Sequence, residues 1–342
     1  MAMKQRRRTA PAKMSDIARL AGVSPSTVSR ALAGSPLVTA RKREEIHRLA
    51  RECGYVVNST ARNLRLQRTQ TLGVVIPLAH ETSQPLSDPF FMEMLGWLAD
   101  AITQRGYGMF LLKVLPPMKG WLTDLIASQR ADGIIVIGQS TEHQTLEAAA
   151  AQYKPLVVWG GHLAAQSYCT VGTDNLAGAL AAVEHLIKLG RKRIVFVGDP
   201  SVPEIGLRYE GYRLAHERAP GLRAPPHLVS AHLTPDTSYE AVRAFISSGG
   251  DCDAIFAATD VMAMSALRAL TASGIAVPSQ VSVVGFDDIA LASHSNPPLT
   301  TVRQDIERGA HTLVDLLFRR MAGEEAPSST MPAELVVRES SG

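Results

Sequence analysis

Hydrophobic residues fall into two textures along this chain. Before residue 56 they recur at helical spacing among polar and basic residues: Ile17, Leu20 and Ala21, then Val28, Ala31 and Leu32, then Ile46, Leu49, Ala50 and Cys53. Three such stripes can bury one another as a small helical body. From Thr71 onwards the apolar residues condense into continuous runs: Leu72-Gly73-Val74-Val75-Ile76, Met109-Phe110-Leu111-Leu112, Gly133-Ile134-Ile135-Val136-Ile137 and Leu156-Val157-Val158-Trp159. Such runs read as strands buried on both faces. Helical spacing over Met92 to Arg105 and Trp121 to Arg130 separates them, so the order is β-α-β-α-β and a parallel sheet is predicted. The series then starts again. A helix is predicted from Asn175 to Leu189, stopping at Gly190, then a strand from Arg193 to Val197, a helix from Gly206 to Arg218, a strand from Ala254 to Ala257, a helix from Asp260 to Ala272 and a strand from Val281 to Phe286. The fold class expected is therefore α + α/β, a helical headpiece followed by two similar α/β lobes.

Local chemistry sharpens the headpiece. Gly22 can supply the left-handed residue that stops the first helix, Ser24 can cap the second, and Pro25 suits a first helical position because its missing N–H has no partner to lose. Two short helices joined this tightly make a helix-turn-helix. Thr39 is the expected N-cap of a third helix. Ser24, Ser26, Thr27, Ser29 and Arg30 then face outwards on the second helix, where hydroxyls reach phosphates and an Arg can read guanine in the major groove.

Charge points the same way. The chain carries 35 Lys+Arg against 32 Asp+Glu, a net of +3. Residues 1–68 hold 15 basic against 4 acidic side chains, which leaves 20 against 28 for residues 69–342, so +11 stands beside −8. The basic part calls for a polyanion and the acidic part would be repelled by one, so contact with nucleic acid is expected to be confined to the N-terminal end. Residues 1–13, with Arg6-Arg7-Arg8 and no apolar periodicity, are expected to be a disordered basic arm.

The run from Asp16 to Arg30, with Gly54-Tyr55 and Asn58-Ser59-Thr60-Ala61-Arg62-Asn63-Leu64-Arg65, resembles the headpiece and hinge of the lactose/galactose repressor (LacI/GalR) family of bacterial transcription regulators. The resemblance continues through Asp88-Pro89-Phe90-Phe91, Asp174-Asn175, Glu184-His185-Leu186, Arg208-Tyr209-Glu210-Gly211-Tyr212, Thr259-Asp260, Val284-Gly285-Phe286-Asp287-Asp288 and Pro298-Leu299-Thr300-Thr301-Val302. It implies a helix-turn-helix headpiece over residues 14–57 and a hinge helix and linker over 58–68. It also implies an effector-binding and dimerisation core over 69–342, like a periplasmic binding protein. In that core the N-lobe takes about 71–170 and 304–332, and the C-lobe about 171–303 and 333–342. By the same resemblance Pro25, Ser26 and Arg30 read bases, Asn58 and Arg62 belong to the DNA-contacting hinge, and Leu64 wedges into the minor groove at the operator centre. Two positions depart from the pattern. Lys13 stands where Thr or Ser usually caps the first helix, which could shift the cap to Ser15, and Val57 stands where a Pro usually precedes the hinge. A hinge helix this short is marginal alone, so its folding is expected to need DNA and a partner hinge.

A cleft between the lobes is the default ligand site, beyond the carboxyl ends of the parallel strands. Arg208 is expected to open a helix, where it can fork onto adjacent hydroxyls, and Asp287 at the end of a strand can accept hydroxyl donors. The resemblance implies that these two bind the effector; the competing roles are a lobe-stabilising ion pair and a helix N-cap. Thr259 replaces an Asn often found before Asp260, and Asp260 is expected to cap the following helix. Phe90, Trp159 and Tyr239 are candidates for a stacking floor.

Other chemistry is not encoded in recognisable form. Cys53, Cys169 and Cys252 are scattered, and the ten histidines show no metal-ligand spacing. Dinucleotide, phosphate-loop and nucleophile-elbow motifs are missing, and so are an apolar run of membrane-spanning length and a signal peptide. No cofactor, metal, membrane or catalysis is therefore expected, and the three thiols suit a reducing cytoplasm. The expected protein is a homodimeric repressor gripping a palindromic operator on double-stranded DNA and released by a sugar-type inducer. Corepression by a purine or sugar phosphate is the alternative; a solute-binding receptor or an enzyme stands further behind. Without a heptad repeat after residue 334, a dimer rather than a tetramer is expected.

Overall fold

The computed structural model describes residues 12–32, 34–55, 68–78, 83–115, 120–163, 166–222 and 225–342. The chain divides after Arg68 into two compact units. In the first, α1 (Met14–Ala21), α2 (Pro25–Leu32) and α3 (Ala40–Glu52) enclose a core of Ile17, Ala18, Ala21, Val28, Ala31, Val38 and Ile46. Gly22 ends α1 with φ 64°, a left-handed conformation in which the N–H of Val23 returns to the Ala18 carbonyl. Ser24 caps α2, its Oγ accepting from the Thr27 N–H at 3.2 Å.

Three local expectations are corrected. Leu20 is 56% exposed, because the buried arc of α1 runs from Ile17 through Ala21 to Ala18 and leaves it outside. The cap of α1 stays at Lys13, whose N–H donates to the Asp16 carboxylate at 2.9 Å, and Ser15 lies inside the helix. Thr39 does precede α3, but its hydroxyl makes no capping bond.

The second unit contains two open sheets. The first is assembled from β1 (Thr71–Pro77), β2 (Gly108–Val114), β3 (Gly133–Ile137), β4 (Leu156–Trp159), β5 (Cys169–Thr173) and a late strand, Ser329–Met331, in the order late strand-β5-β4-β3-β1-β2. Its helices are α4 (Pro89–Gln104), α5 (Trp121–Ala127), α6 (His143–Ala150) and a late helix, Ile306–Met321. After β5 the chain crosses over through α7 (Asn175–Lys188) and builds the second sheet. This contains β6 (Ile194–Gly198), β7 (His227–Ser230), β8 (Ala254–Ala257), β9 (Ser282–Asp287) and β10 (Thr300–Arg303), with α8 (Pro203–Arg218), α9 (Pro235–Ser247) and α10 (Asp260–Ala272) packed on it. From β10 the chain returns to the first lobe as α11, the helix Ile306–Met321, and β11, the strand Ser329–Met331; β12 (Glu334–Val336) closes the second sheet's edge. Neighbouring strands pair in parallel except β12, which runs antiparallel to β10.

The strands β1, β3 and β4 are buried on both faces, as the apolar runs predicted. The run Met109 to Leu112 is not: β2 is the outermost strand of its sheet and stands half-exposed, with Leu111 facing solvent. The apolar pattern does not mark α6, β5, β7, α9, β10 or α11.

Candidate functional site: a hydroxylated recognition helix and an acidic interlobe cleft

On the headpiece, Ser24, Pro25, Ser26 and Arg30 are exposed and Thr27 and Ser29 half-exposed, while Val28 and Ala31 of the same helix point into the core. The hydroxyls form a linked set: Ser24 Oγ lies 2.7 Å from Ser26 Oγ and 2.9 Å from Thr27 Oγ1. These are groups that can turn their hydrogens towards phosphate, and Arg30 extends beside them from the last turn of α2. Asn58, Arg62 and Leu64, with Val57 and the basic arm before Pro11, lie outside the described residues.

In the second unit a cleft lies between the carboxyl ends of the two sheets. Arg208 is brought there by α8, which begins at Pro203 and so places Arg208 in the second turn rather than at its opening. Its side chain is buried. Nε donates to Asn175 Oδ1 at 2.8 Å, Nη1 to the Ala258 carbonyl at 2.5 Å, and the guanidinium carbon lies over the Phe286 ring, 3.8 Å from its centroid. Asp287 Oδ1 stands 3.5 Å from Nη1 and accepts from Gln304 Nε2 at 2.7 Å. Burial pulls the Arg208 guanidinium below its usual range, against the field of Asp287, Glu204 and Asp260.

The acids around that single guanidinium are crowded. Burial pushes the Asp287 carboxyl up to about 7, with Arg208 and Gln304 opposing and Asp88 reinforcing. The Asp260 carboxyl is also held well above the usual carboxylate range, first by burial and then by the charge of Asp287. It does not cap its helix: Thr259 does, accepting the Met262 N–H at 3.2 Å. The Asp260 carboxylate instead holds Thr301 Oγ1 at 2.5 Å and the Ile289 N–H at 2.9 Å, tying β10 and the turn after β9 to α10.

Glu204, in the first turn of α8, is half-buried in the cleft wall and accepts the Gln139 N–H at 3.0 Å from the opposite lobe; desolvation there raises its carboxyl. Asp88 caps α4 through the Phe90 N–H at 3.0 Å, takes Gln84 Nε2 at 3.1 Å, and is also raised by burial.

Of the sequence-predicted effector residues, Arg208, Asp287, Thr259, Phe90 and Trp159 all line this one cleft. Phe90 and Trp159 face each other with centroids 6.3 Å apart. Trp159 is pinned from behind by Gly309 of α11, where an added Cβ would lie 2.2 Å from Cζ3. Tyr239 is not part of the floor; it sits on α9 beneath the Arg268 guanidinium, 4.3 Å away.

Sequence reasoning missed Gln84, Asp88, Thr173, Asn175, Glu204 and Gln304. Two of these keep buried oxygens without a partner, Gln84 Oε1 and Thr173 Oγ1. Polar residues at strand ends and helix starts were the available signal, since those ends converge on the cleft. Among the described residues, no group of three or more His, Cys, Asp or Glu could hold a metal ion, and no helix is long and apolar enough to cross a membrane.

Comparison with known proteins joins the two halves. Residues 13–58 match the model for bacterial regulatory proteins of the lacI family, and residues 183–341 match a periplasmic binding protein-like domain. The HTH-type transcriptional regulator CelR of Thermobifida fusca is 34% identical over 348 residues, covering 98% of this chain and 99% of the relative. The transcriptional repressor CytR of Escherichia coli is 29% identical, with 98% of each chain covered. Among solved structures, the Lac repressor dimer bound to operator and an anti-inducer superposes with a TM-score of 0.85 at 25% identity, over 97% of this chain and 99% of that one. A CelR–cellobiose complex gives 0.70 at 31% identity, over 96% and 99%. With a hydroxyl-faced helix-turn-helix, a two-lobed core and a relative this similar over its full length, the chain belongs to the LacI family of bacterial regulatory proteins and is a DNA-binding transcriptional regulator.

Proposed function

We propose that the protein is a homodimeric cytoplasmic repressor, not an enzyme, that grips a palindromic operator and is released by a small neutral sugar. The observation that carries the sugar reading is the acceptor-rich cleft. Asp88, Glu204 and Asp287 line it around one guanidinium whose Nε and Nη1 are already committed, and Gln84 Oε1 and Thr173 Oγ1 add buried oxygens without partners. Such a lining asks its ligand for O–H donors. Among the described residues a phosphate would meet three carboxyl groups and find no free cationic fork, so sugar phosphates fit worse than neutral sugars. The apolar faces of Phe90 and Trp159 suit the C–H face of a pyranose.

On the DNA side, Arg30 and the hydroxyls of Ser24, Ser26, Thr27 and Ser29 supply base and phosphate contacts, with Asn58, Arg62 and Leu64 of the hinge at the operator centre. Two-fold symmetry in the dimer requires it in the operator. A ligand binding the two lobe arrangements with affinities differing by a few kcal/mol is enough to shift occupancy of the DNA.

The test is release of the purified protein from its own upstream DNA across a panel of neutral sugars, sugar phosphates and purines. Cellobiose goes first, because it is bound in the CelR complex. Release by a neutral sugar is expected. Release only by a phosphorylated sugar, or tightened binding with a purine, would overturn the reading.

A further inference from the structure

Asp287 reaches the cleft by an unusual route. It and Asp288, both non-glycine, leave the end of β9 with φ 126° and 57°, in the left-handed half of conformational space. Conformations of this kind persist only where the surroundings over-determine them. Here the determinant lies on the side away from the cleft. The Asp288 side chain, 7% exposed, is held between two guanidiniums, one on each oxygen: Arg303 Nε at 2.8 Å and Arg338 Nη2 at 2.6 Å.

Each guanidinium is anchored in turn. Arg303 stands beside Asp287 in the β9–β10 register and bonds Glu334 of β12 at 3.0 Å. Arg338 bonds the Leu299 carbonyl at 2.7 Å, and its backbone N–H is held by Thr300 Oγ1 at 2.8 Å. None of Asp288, Arg303 and Arg338 lines the cleft.

We propose that the Arg303–Asp288–Arg338 ion cluster is the positioning device for the effector, fixing the turn in the one conformation that presents the Asp287 carboxylate to a ligand. Arg338, in the last few residues of the chain, then sets sugar sensitivity without touching the sugar. Charge-assisted bonds from two directions fix the Asp288 carboxylate more tightly than neutral ones would. With one guanidinium removed, the turn relaxes towards ordinary φ and carries Asp287 away from its ligand position. The proposal rests on the reading of Asp287 as the acceptor for a sugar hydroxyl.

The experiment titrates operator-bound protein with cellobiose, or with whichever neutral sugar releases the wild type in the panel above. R338A and D288N are expected to raise the sugar concentration for half-release about tenfold, the effect of one charge-assisted hydrogen bond. R338K, which keeps the charge but not both contacts, gives an intermediate shift. D288G accommodates φ 57° without strain yet loses both ion pairs, so it should be as insensitive as D288N. Operator affinity without sugar stays near wild type, and the melting temperature of the core falls by no more than a few degrees.

Variants that titrate like wild type overturn the clamp, and so does a loss of response that merely follows loss of operator binding and melting temperature. Should R338A fail to fold, R338K alone decides: wild-type sensitivity overturns the proposal. A wild type that answers to no sugar overturns the effector reading itself, a result distinct from a responsive wild type with indifferent variants.

Discussion

Replacing Asp287 by Asn is expected to stabilise the core at pH 8 while abolishing its response to effector. The Asp287 carboxyl is displaced from 3.8 to about 7, chiefly because it is buried. The native state therefore holds this proton more tightly than the unfolded chain does. The associated stability is fully present below about pH 4 and is lost as the pH rises through about 7. At about 1.4 kcal/mol per tenfold in proton affinity, that displacement corresponds to at most about 4 kcal/mol by pH 8. Asp260 shares the proton balance with Asp287, so about 2–4 kcal/mol is the range to expect. An Asn mimics the protonated acid: it can still accept from Gln304 Nε2 and has no charge to desolvate. For a body of this size the difference amounts to roughly 5–10 °C in Tm. Calorimetry of both proteins between pH 5 and pH 8.5 measures it. The variant's advantage should open as the pH rises, because other groups titrate identically in the two proteins. Melting curves that stay parallel across that range would refute the account of Asp287 as a strained, buried acid.

Three further outcomes follow from the same geometry. Arg30→Ala should weaken binding to the operator by about 1–3 kcal/mol while leaving binding to random DNA nearly unchanged; equal losses in a competition assay would remove base readout from Arg30. Arg208→Ala should abolish effector response with operator binding intact, since Asp287, Glu204 and Asp260 lose the cation that offsets them; a normal release curve would exclude Arg208 from the site. Gly309→Ala should destabilise the core by about 1–3 kcal/mol and shift tryptophan emission, because its Cβ would displace Trp159; an unchanged melt and spectrum would count against that packing.

The fold was legible where burial is two-sided. The strands β1, β3, β4, β6 and β8 and the helices α7 and α10 write their positions as apolar runs or helical stripes. β5 and β10 do not, because Cys169-Thr170-Val171-Gly172-Thr173 and Thr300-Thr301-Val302-Arg303 owe their burial to neighbouring strands rather than to their own apolarity. Leu20 and Leu111 show the converse: apolar residues on a good local pattern are left outside by tertiary geometry, one beyond a helix's buried arc and one on an edge strand.

At the site, Arg208 and Asp287 were reachable through family landmarks. Glu204 resembles any acid in a helix's first turn and Gln304 any polar residue after a strand, and only the convergence of strand ends from both lobes gives them a role. The hydrogen bonds of Asp260 are hidden from the sequence for a related reason. A carboxylate at the start of a helix predicts a cap, whereas here Thr259 takes that task and frees Asp260 to bind β10.

The return of the chain from the second lobe to the first has a consequence for biosynthesis. The first sheet packs against Ile306, Ala310, Leu313, Val314 and Leu317 of α11 and gains its last strand from Ser329–Met331, so the face carrying Leu72, Ile76, Ile135, Val157 and Trp159 has only α4 to cover it until those residues emerge from the ribosome. The delay between Trp159 and Met331 is roughly ten to thirty seconds at bacterial translation rates. During that interval the second sheet's central strands can already pair, whereas the lobe synthesised first waits with one apolar face only partly covered. Nascent chains stalled after residue 300 are therefore expected to bind chaperones through the earlier lobe, and the order of folding should run against the order of synthesis.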